Sequence, residues 1–552
     1  MKTLIKNIES WAYFVTLSLL AMSLPLSRFM ISVSQFTLLG VWLLSGIDYE
    51  KINETYTSKV FFKSTGLFFA LLGKNFVKKM RLFFQNRVAV ILVSLYVMHL
   101  IGLIYTSDFN YALKDLRVKL PILLLPIVMC TTKRLNKKEM QGLLALFVLS
   151  IFVATGFSFY TYLEGNFSDV RQLSPFIYPI RFALLIVLSI FILGYFLVQK
   201  NKRFVERLGV FILMCWMFFI LTILESMNGI ISTLFIGYVL LIYFTFSSKR
   251  KGQKKMALGA IIIAFPFAIA SYFAYIVHDL NKVEKVDFSV FDKTTPYGNL
   301  YCHDTVCYAI EDGKYTGLYI SPKELPDAWA KRSTMPVSGK DEKNQPLQAT
   351  LIRYLASKNL RKDADGVAAL TDKDIRNIER GIANVNYIEK PGIRTRLSKM
   401  MLGYQNIKRS HDPNGSSSMQ RIEYTKTSCY IIKKNPIFGI GTGDIPNAYK
   451  QAYEETNSPL KERFRLRAHN QYLSITVGFG IVGFCWFLVI LLYPYFSDKK
   501  YRTYFYSVFM LLILLSMLSE DTIESQDGVT LYAFFNALFL FAFPLIKKES
   551  KK

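Results

Sequence analysis

Residues 465–495 read RLRAHNQYLSITVGFGIVGFCWFLVILLYPY. Between Gln471 and Tyr495 no side chain carries a charge, and as a helix such a run crosses roughly 30 Å of hydrocarbon. Arg465, Arg467 and His469 stand at its doorway. Basic residues at such a place anchor helices to lipid headgroups, most of all on the cytoplasmic side. They could equally form an anion site with a base, so the side of the membrane they face matters.

Similar runs fill the chain. Its 552 residues are 52% hydrophobic and 19% charged, with apolar blocks near 11–26, 29–46, 87–105, 118–131, 141–161, 177–198, 208–225, 229–246, 256–277, 470–495, 503–519 and 528–546. Helix is the form that satisfies backbone groups in lipid. The expected fold class is therefore an all-α polytopic membrane protein with about 12 transmembrane helices. The fourth block is short and opens on Lys119 and Pro121. Residues 60–73, apolar but too short to span, predict an amphipathic helix on the membrane surface. The net charge of +27 lies between the apolar blocks, which points to membrane topology and away from nucleic acid. Lys2, Lys6 and the following apolar core resemble a secretory signal, but no convincing cleavage site follows, so the segment is expected to remain as the first span.

Orientation follows from lysine and arginine. The even-numbered connections read TKRLNKK, VQKNKRFVER, SSKRKGQKK and SDKKYR, whereas ESMNG and SEDTIESQDG in odd-numbered ones carry neither residue. That alternation predicts both termini in the cytoplasm, with 278–469 and His469 on the outer side of the membrane. The expected organisation is a membrane domain at 1–277 with spans 1–9, and a large outer α+β insertion at 278–418. A helix, glycine turn and approach follow at 419–469, then spans 10–12 at 470–552. Within the insertion, CYAIEDGKYTGLYI predicts a hairpin around Asp312 and Gly313. LQATLIRYLASKNL and DKDIRNIERGIANV predict amphipathic helices, the second capped by Thr371 or Asp372. Cys302 and Cys307, the only close pair among six cysteines, suit a local disulfide better than a metal site with His303.

Several residues could carry chemistry. Arg463, Arg465, Arg467 and His469 are spaced by two and share a face if extended; in a helix Arg465 and His469 do so as i,i+4. Guanidinium forks suit phosphate, and a histidine kept neutral beside them can act as a base. The plainer alternative is a headgroup anchor with an incidental histidine. In NPIFGIGTGD (435–444), Gly439, Gly441 and Gly443 either turn N–H groups inward as an anion nest or make a tight turn. Asp444 either orients a substrate hydroxyl or caps the helix near Pro446. Arg181 lies at the edge of span six, where a charge faces a partner, faces a cavity or snorkels. Arg421 opens a helix, and Arg117 runs against the positive-inside trend. Glu520, Asp521 and Glu524 neutralise arginines, hold an acceptor or stay solvated. Asp363 and Asp365 in RKDADG read better as a helix end than as a metal–nucleotide pair, and the five histidines show no zinc spacing.

Arg421, NPIFGIGTGD, AHNQYLSITVGFGIVGF and SMLSEDTIESQDGVTLYAFF together resemble the O-antigen ligase/polymerase superfamily. The specific part covers roughly 419–545; earlier the similarity is mainly topological, and the insertion is longer than the usual ligase loop. The resemblance implies an integral-membrane glycosyltransferase-like fold. It implies inverting, metal-independent transfer of a glycan from undecaprenyl pyrophosphate, without cofactor, at the periplasmic membrane face. The acceptor would be lipid A core, another glycan or a protein, and membrane lipids would be partners. His469 would be the base, and Arg181 and Arg421 would hold the pyrophosphate, with Arg467, Arg465 and Arg117 as further contacts. Gly439, Gly441, Gly443, Asp444, Asn470 and Tyr472 would shape the pocket, with Glu520 and Glu524 as acidic candidates. One departure stands out. Many relatives carry Ser-Arg-Gly after span seven, where this chain has Ser226, Met227, Asn228 and Gly229, so that arginine's role is absent or moved to Arg117 or Arg467.

Ligase, polymerase and protein O-oligosaccharyltransferase share this chemistry, and the residues at 469–473 favour ligase. A polysaccharide transporter or flippase would show two halves of six spans about a central cytoplasmic loop, a pattern missing here. A non-catalytic envelope scaffold is a third reading.

Overall fold

The computed structural model describes residues 2–48, 61–165, 167, 169–199, 203–247, 252–304, 306, 310–389, 392–410 and 412–543. Among the described residues the first part of the chain forms ten helices: α1 (Lys2–Leu26), α2 (Arg28–Leu44), α3 (Phe61–Gln85), α4 (Arg87–Ile101), α5 (Phe109–Thr131), α6 (Lys137–Glu164), α7 (Pro179–Leu197), α8 (Phe204–Ile223), α9 (Met227–Ser247) and α10 (Gln253–Asn281). Three more close the chain: α19 (Gln471–Ser497), α20 (Tyr504–Met517) and α21 (Gln526–Ala537), the last running into a π turn at Leu538–Ala542. Short polar side chains start several of them. Ser27 accepts from the Met30 N–H, and Asn136 with Glu139 forms a capping box on α6.

The described residues of every apolar block named above are mainly helical. Among the described residues seven helices are long and apolar enough to cross a membrane: α1, α6, α7, α8, α9, α10 and α19. An eighth arises if α3 and α4 count as one span, but they meet at 97°. The remainder fall short for physical reasons. Helices α2 and α20 have 17 and 14 residues, and α5 carries Lys114, Asp115, Arg117 and Lys119. The expected surface helix is longer than its apolar stretch, and its break before α4 is fixed by Asn86, whose side chain accepts from the Ala89 N–H.

Burial separates centre from periphery. The apolar window of α7 is 78% buried, that of α10 only 6%. Helix α7 therefore lies inside the bundle, and its N-terminal end, with Arg181, is already inside protein.

The insertion carries α11 (Glu324–Ala330), α12 (Leu347–Ser357), α13 (Ala364–Ala368), α14 (Asp372–Glu379) and α15 (Asn386–Glu389). Trp329, Leu351, Leu355 and Ile378 form a core of its own, separate from that of the membrane helices. Thr371 caps α14, its hydroxyl accepting from the Asp374 N–H. Asp363 caps α13 through Gly366 N–H, so RKDADG is a helix start. The hairpin pairs β1 (Ile310–Glu311) with β2 (Lys314–Tyr315) around Asp312 (φ 49°) and Gly313 (φ 80°). Among the described residues this is the only sheet, so the expected α+β domain is a helical one with a single hairpin. Its apolar residues recur at helical spacing, as Leu347, Leu351 and Leu355 do, and few are left to cover a sheet. Cys307 lies outside the described residues, and with it the expected disulfide. Then α16 (Ile393–Ser410), α17 (Ser417–Lys434) and α18 (Ile445–Glu455) lead back to α19.

Candidate functional site

Helix α19 is not continuous. At Gly480 the backbone has φ 63° and ψ −166°, which removes the helical bonds that Ile481 and Val482 would make to residues 477 and 478. The glycine turn fills the gap. Ile481 and Val482 N–H donate to the carbonyls of Pro436 and Ile437 (2.9 and 3.3 Å), while Ile440 and Gly441 N–H donate to those of Val477 and Gly478 (3.1 and 2.9 Å). Two helical bonds are exchanged for four inter-segment ones, so no backbone group is stranded in an apolar setting.

This geometry favours the tight turn over the anion nest. Gly443 N–H donates to Thr106 Oγ1 (2.7 Å) and Thr442 N–H to the Gly102 carbonyl, so the donors of residues 440–443 are spent within the protein. Asp444 stands at the N-cap of α18 without a side-chain cap bond. Its carboxylate accepts from Ser107 N–H (2.8 Å), Ser107 Oγ (2.6 Å) and Asp108 N–H (3.0 Å), bolting the turn to the α4–α5 loop. A Cβ at Gly480 would lie 2.2 Å from the Ile437 carbonyl oxygen. Gly480→Ala is expected to lower the midpoint of thermal unfolding in detergent, at a cost of about 1–3 kcal/mol from backbone strain alone. Gly156→Ala, at an open helical position, should leave it unchanged or higher. Equal effects would remove the interlock from the account.

Next to this interlock, the α20–α21 loop supplies three acids with different partners. Glu520 is the hub. It accepts from Arg421 at 2.6 Å and Arg181 at 3.3 Å, and lies 3.6 Å from His469 Nδ1. Its side chain is 3% exposed. Burial alone would raise the Glu520 carboxyl, but the His469 imidazole beside it and the charges of Arg421 and Arg181 hold it below the usual range. Asp521 accepts from His469 N–H (3.1 Å) and Ser474 Oγ (2.6 Å), and burial pushes its carboxyl up. The Asp521 carbonyl takes Arg181 NH2 at 2.8 Å, while Arg181 Nε–H is buried without a partner among the described residues. Glu524 joins Lys119 (2.9 Å), Arg467 (3.1 Å) and Gln471 (2.9 Å), and Lys119 also meets Asp115 (2.6 Å).

His469 itself is strained, with φ 47°, a left-handed conformation that costs a side-chain-bearing residue about 1 kcal/mol or more. The Asp521 bond to its N–H and the Asn470 cap of α19 hold it there. Its ring sits 5.5 Å from that of Tyr424.

The sequence-based candidates sort clearly. Arg181, Arg421, His469 and Glu520 converge; Arg467 and Glu524 form the adjoining group. The shared face of Arg463, Arg465, Arg467 and His469 does not exist, because a 3-10 turn at Glu462–Phe464 breaks the alternation. Arg465 donates to the Leu460 carbonyl (3.0 Å) instead. Arg117 is exposed, two residues from inward-facing Asp115 and Lys119, and takes no part. Asn470 is a cap that also donates to the Leu518 carbonyl (2.9 Å), and Tyr472 OH donates to that of Leu514 (3.0 Å), so both fasten α19 to α20. Sequence reasoning missed Asp115, Lys119, Tyr111, Tyr424, Gln471 and Ser474. Lys119 was visible as a lysine in an apolar block, a signal of a buried partner. Among the described residues no group of three or more His, Cys, Asp or Glu side chains is arranged to hold a metal ion.

Residues 392–488, from the start of α16 into α19, match the family model described as O-antigen ligase. This segment contains Arg421, the glycine turn and His469. No curated protein matches the chain.

Proposed function

We propose that the chain is an O-antigen ligase-like glycosyltransferase that moves a glycan from undecaprenyl pyrophosphate to an acceptor hydroxyl, lipid A core being the acceptor favoured. The observation that carries this reading is the single buried carboxylate, Glu520, shared by His469, Arg181 and Arg421. A carboxylate at Nδ1 favours the tautomer protonated there and leaves Nε2 to accept a proton. In the proposed step Nε2 takes the acceptor's hydroxyl proton as the oxygen attacks the anomeric carbon from the face opposite the pyrophosphate. The bond from that carbon to the pyrophosphate oxygen breaks, inverting the centre, and the leaving group departs with the electron pair. Arg421, whose side chain is 36% exposed, is the guanidinium able to meet the developing charge. Arg181, at 8%, is assigned to holding Glu520, and Arg467 to holding Glu524. The lysine and arginine pattern supports placing this end of the bundle at the periplasmic face of the inner membrane. The same charges account for a metal-independent reaction, since arginines supply the counter-charge.

The test is transfer by the purified full chain in lipid nanodiscs, from a defined undecaprenyl-pyrophosphate glycan, with chelator present. Lipid A core, a glycan and a serine-rich peptide are offered in parallel. Transfer to lipid A core is expected. Transfer to no acceptor overturns the reading, preference for another acceptor changes the ligase assignment, and a need for divalent cation ends the metal-free mechanism.

A further inference from the structure

Between the insertion and the membrane helices lies a cleft of ≈ 520 Å³, within the size range of small-molecule sites. Its walls come from the α6–α7 loop, the insertion near 343–353 and 381–388, helix α16, and residues 412–418 with 461–464. Among the described residues seven lysine or arginine side chains line it, against three aspartate or glutamate. Not all seven are available. Arg353 is spent on Glu311 (2.7 and 3.1 Å) and Lys399 on Glu225 (3.0 Å).

Others keep donors to spare. Lys461 and Arg463 stand exposed at the rim, and the Arg171 guanidinium comes no nearer than 4.0 Å to the Asp169 carboxylate. Among the described residues the Arg396 guanidinium hydrogen-bonds only Ser417 Oγ, at 3.5 Å. Burial depresses the Arg396 guanidinium; Glu225 and Asp169 oppose this, while the charges of Arg171 and Arg421 depress it further. Cations crowd there with too little counter-charge, and an anion entering among them would relieve the repulsion. The remaining lining suits sugar: the amides of Asn344 and Gln345, the hydroxyls of Ser416 and Ser418, and the ring of Tyr387. Ser417, which Arg396 touches, lies one turn before Arg421 on α17, and Arg421 reaches Glu520 at 2.6 Å, so the cleft adjoins the Glu520 cluster.

We propose that this cleft binds a saccharide bearing phosphate or carboxylate groups and presents it as the acceptor to His469. This rests on the glycosyl-transfer reading and adds to it a substrate class, an anionic acceptor, and a role for the insertion, which builds one wall of the site. Guanidinium and ammonium groups meet the charged substituents, while amides and hydroxyls meet the sugar.

Binding to the full chain in nanodiscs tests it with three probes: a phosphorylated oligomannose pentasaccharide, its dephosphorylated form, and a neutral glycan on undecaprenyl pyrophosphate. The phosphorylated probe is expected to bind at least tenfold more tightly than the dephosphorylated one. Arg396→Gln should remove that preference. Because Arg396 is partly buried, the rim variant Arg171→Gln/Lys461→Gln/Arg463→Gln provides a second arm that leaves the interior intact, and it should weaken the phosphorylated probe at least fivefold. Neither should alter binding of the lipid-linked probe. Lys373→Gln, on the exposed surface of α14, is the control for lost charge. Equal binding of the two pentasaccharides overturns the proposal, as does a rim variant that weakens the lipid-linked probe instead, which would make the cleft a donor site. Charge-selective, cleft-dependent binding by a chain that transfers no glycan would keep the cleft and sink the transferase reading. Transfer that is indifferent to both cleft variants would do the reverse.

Discussion

His469→Ala is expected to reduce glycan transfer by about 10²–10⁴-fold, the range for loss of a general base, in a protein that remains folded and abundant. The two halves of that expectation have separate grounds. Loss of rate follows because among the described residues no other imidazole approaches Glu520, so nothing takes over the acceptor's proton. Retention of fold follows because Glu520 keeps Arg181 and Arg421 when the ring is gone, leaving no buried charge alone. Alanine bears the same left-handed strain at φ 47°, and its N–H can still reach Asp521. Donor binding, measured with the non-transferring variant, should be close to wild type. A variant that transfers at the normal rate would end the base assignment, and one that fails to accumulate would recast His469 as structural.

How much of this was legible in the sequence depends on the range of the interaction. Apolar blocks, the Asp312–Gly313 turn and the Thr371 cap are local, and each could be read from a few neighbouring residues. Arg181 and Arg421 drew attention because charge at a membrane boundary is costly without a partner. Their shared partner could not be read, since Glu520 lies 339 residues from Arg181 in sequence. The glycine turn was visible as a turn, but its function as a plug in α19 required knowing that Gly480 breaks that helix. The pattern of two at 463–469 misled because spacing fixes a common face only in regular structure, and a 3-10 turn intervenes. Counting spans is harder for a related reason. Apolar composition locates a helix, while length and buried charge decide whether it crosses the membrane on its own.

Glu520→Gln should cost about 3–5 kcal/mol of stability as well as transfer, because it leaves the buried Arg181 guanidinium without its carboxylate. Arg421 contributes little to that loss, since its half-exposed side chain can turn to solvent. Arg181→Met should cost less, because Glu520 retains Arg421 and His469. The double variant Glu520→Gln/Arg181→Met, with neither charge buried, should recover most of the stability and none of the transfer, since the group orienting His469 is still missing. Losses in the two single variants that simply add would show that the pair is not coupled. Acidity provides an independent check on the sign. Although burial alone would raise it, the folded Glu520 carboxyl lies below its unfolded value near about 4.3. Its contribution is thus fully present above that value and fades as pH falls through the lower folded one. The stability gap between wild type and Glu520→Gln should therefore be constant from neutral pH to about 5 and close below about 4. A gap that widened on acidification would mean that the carboxyl is protonated in the folded protein, leaving His469 without the carboxylate that prepares it to take a proton.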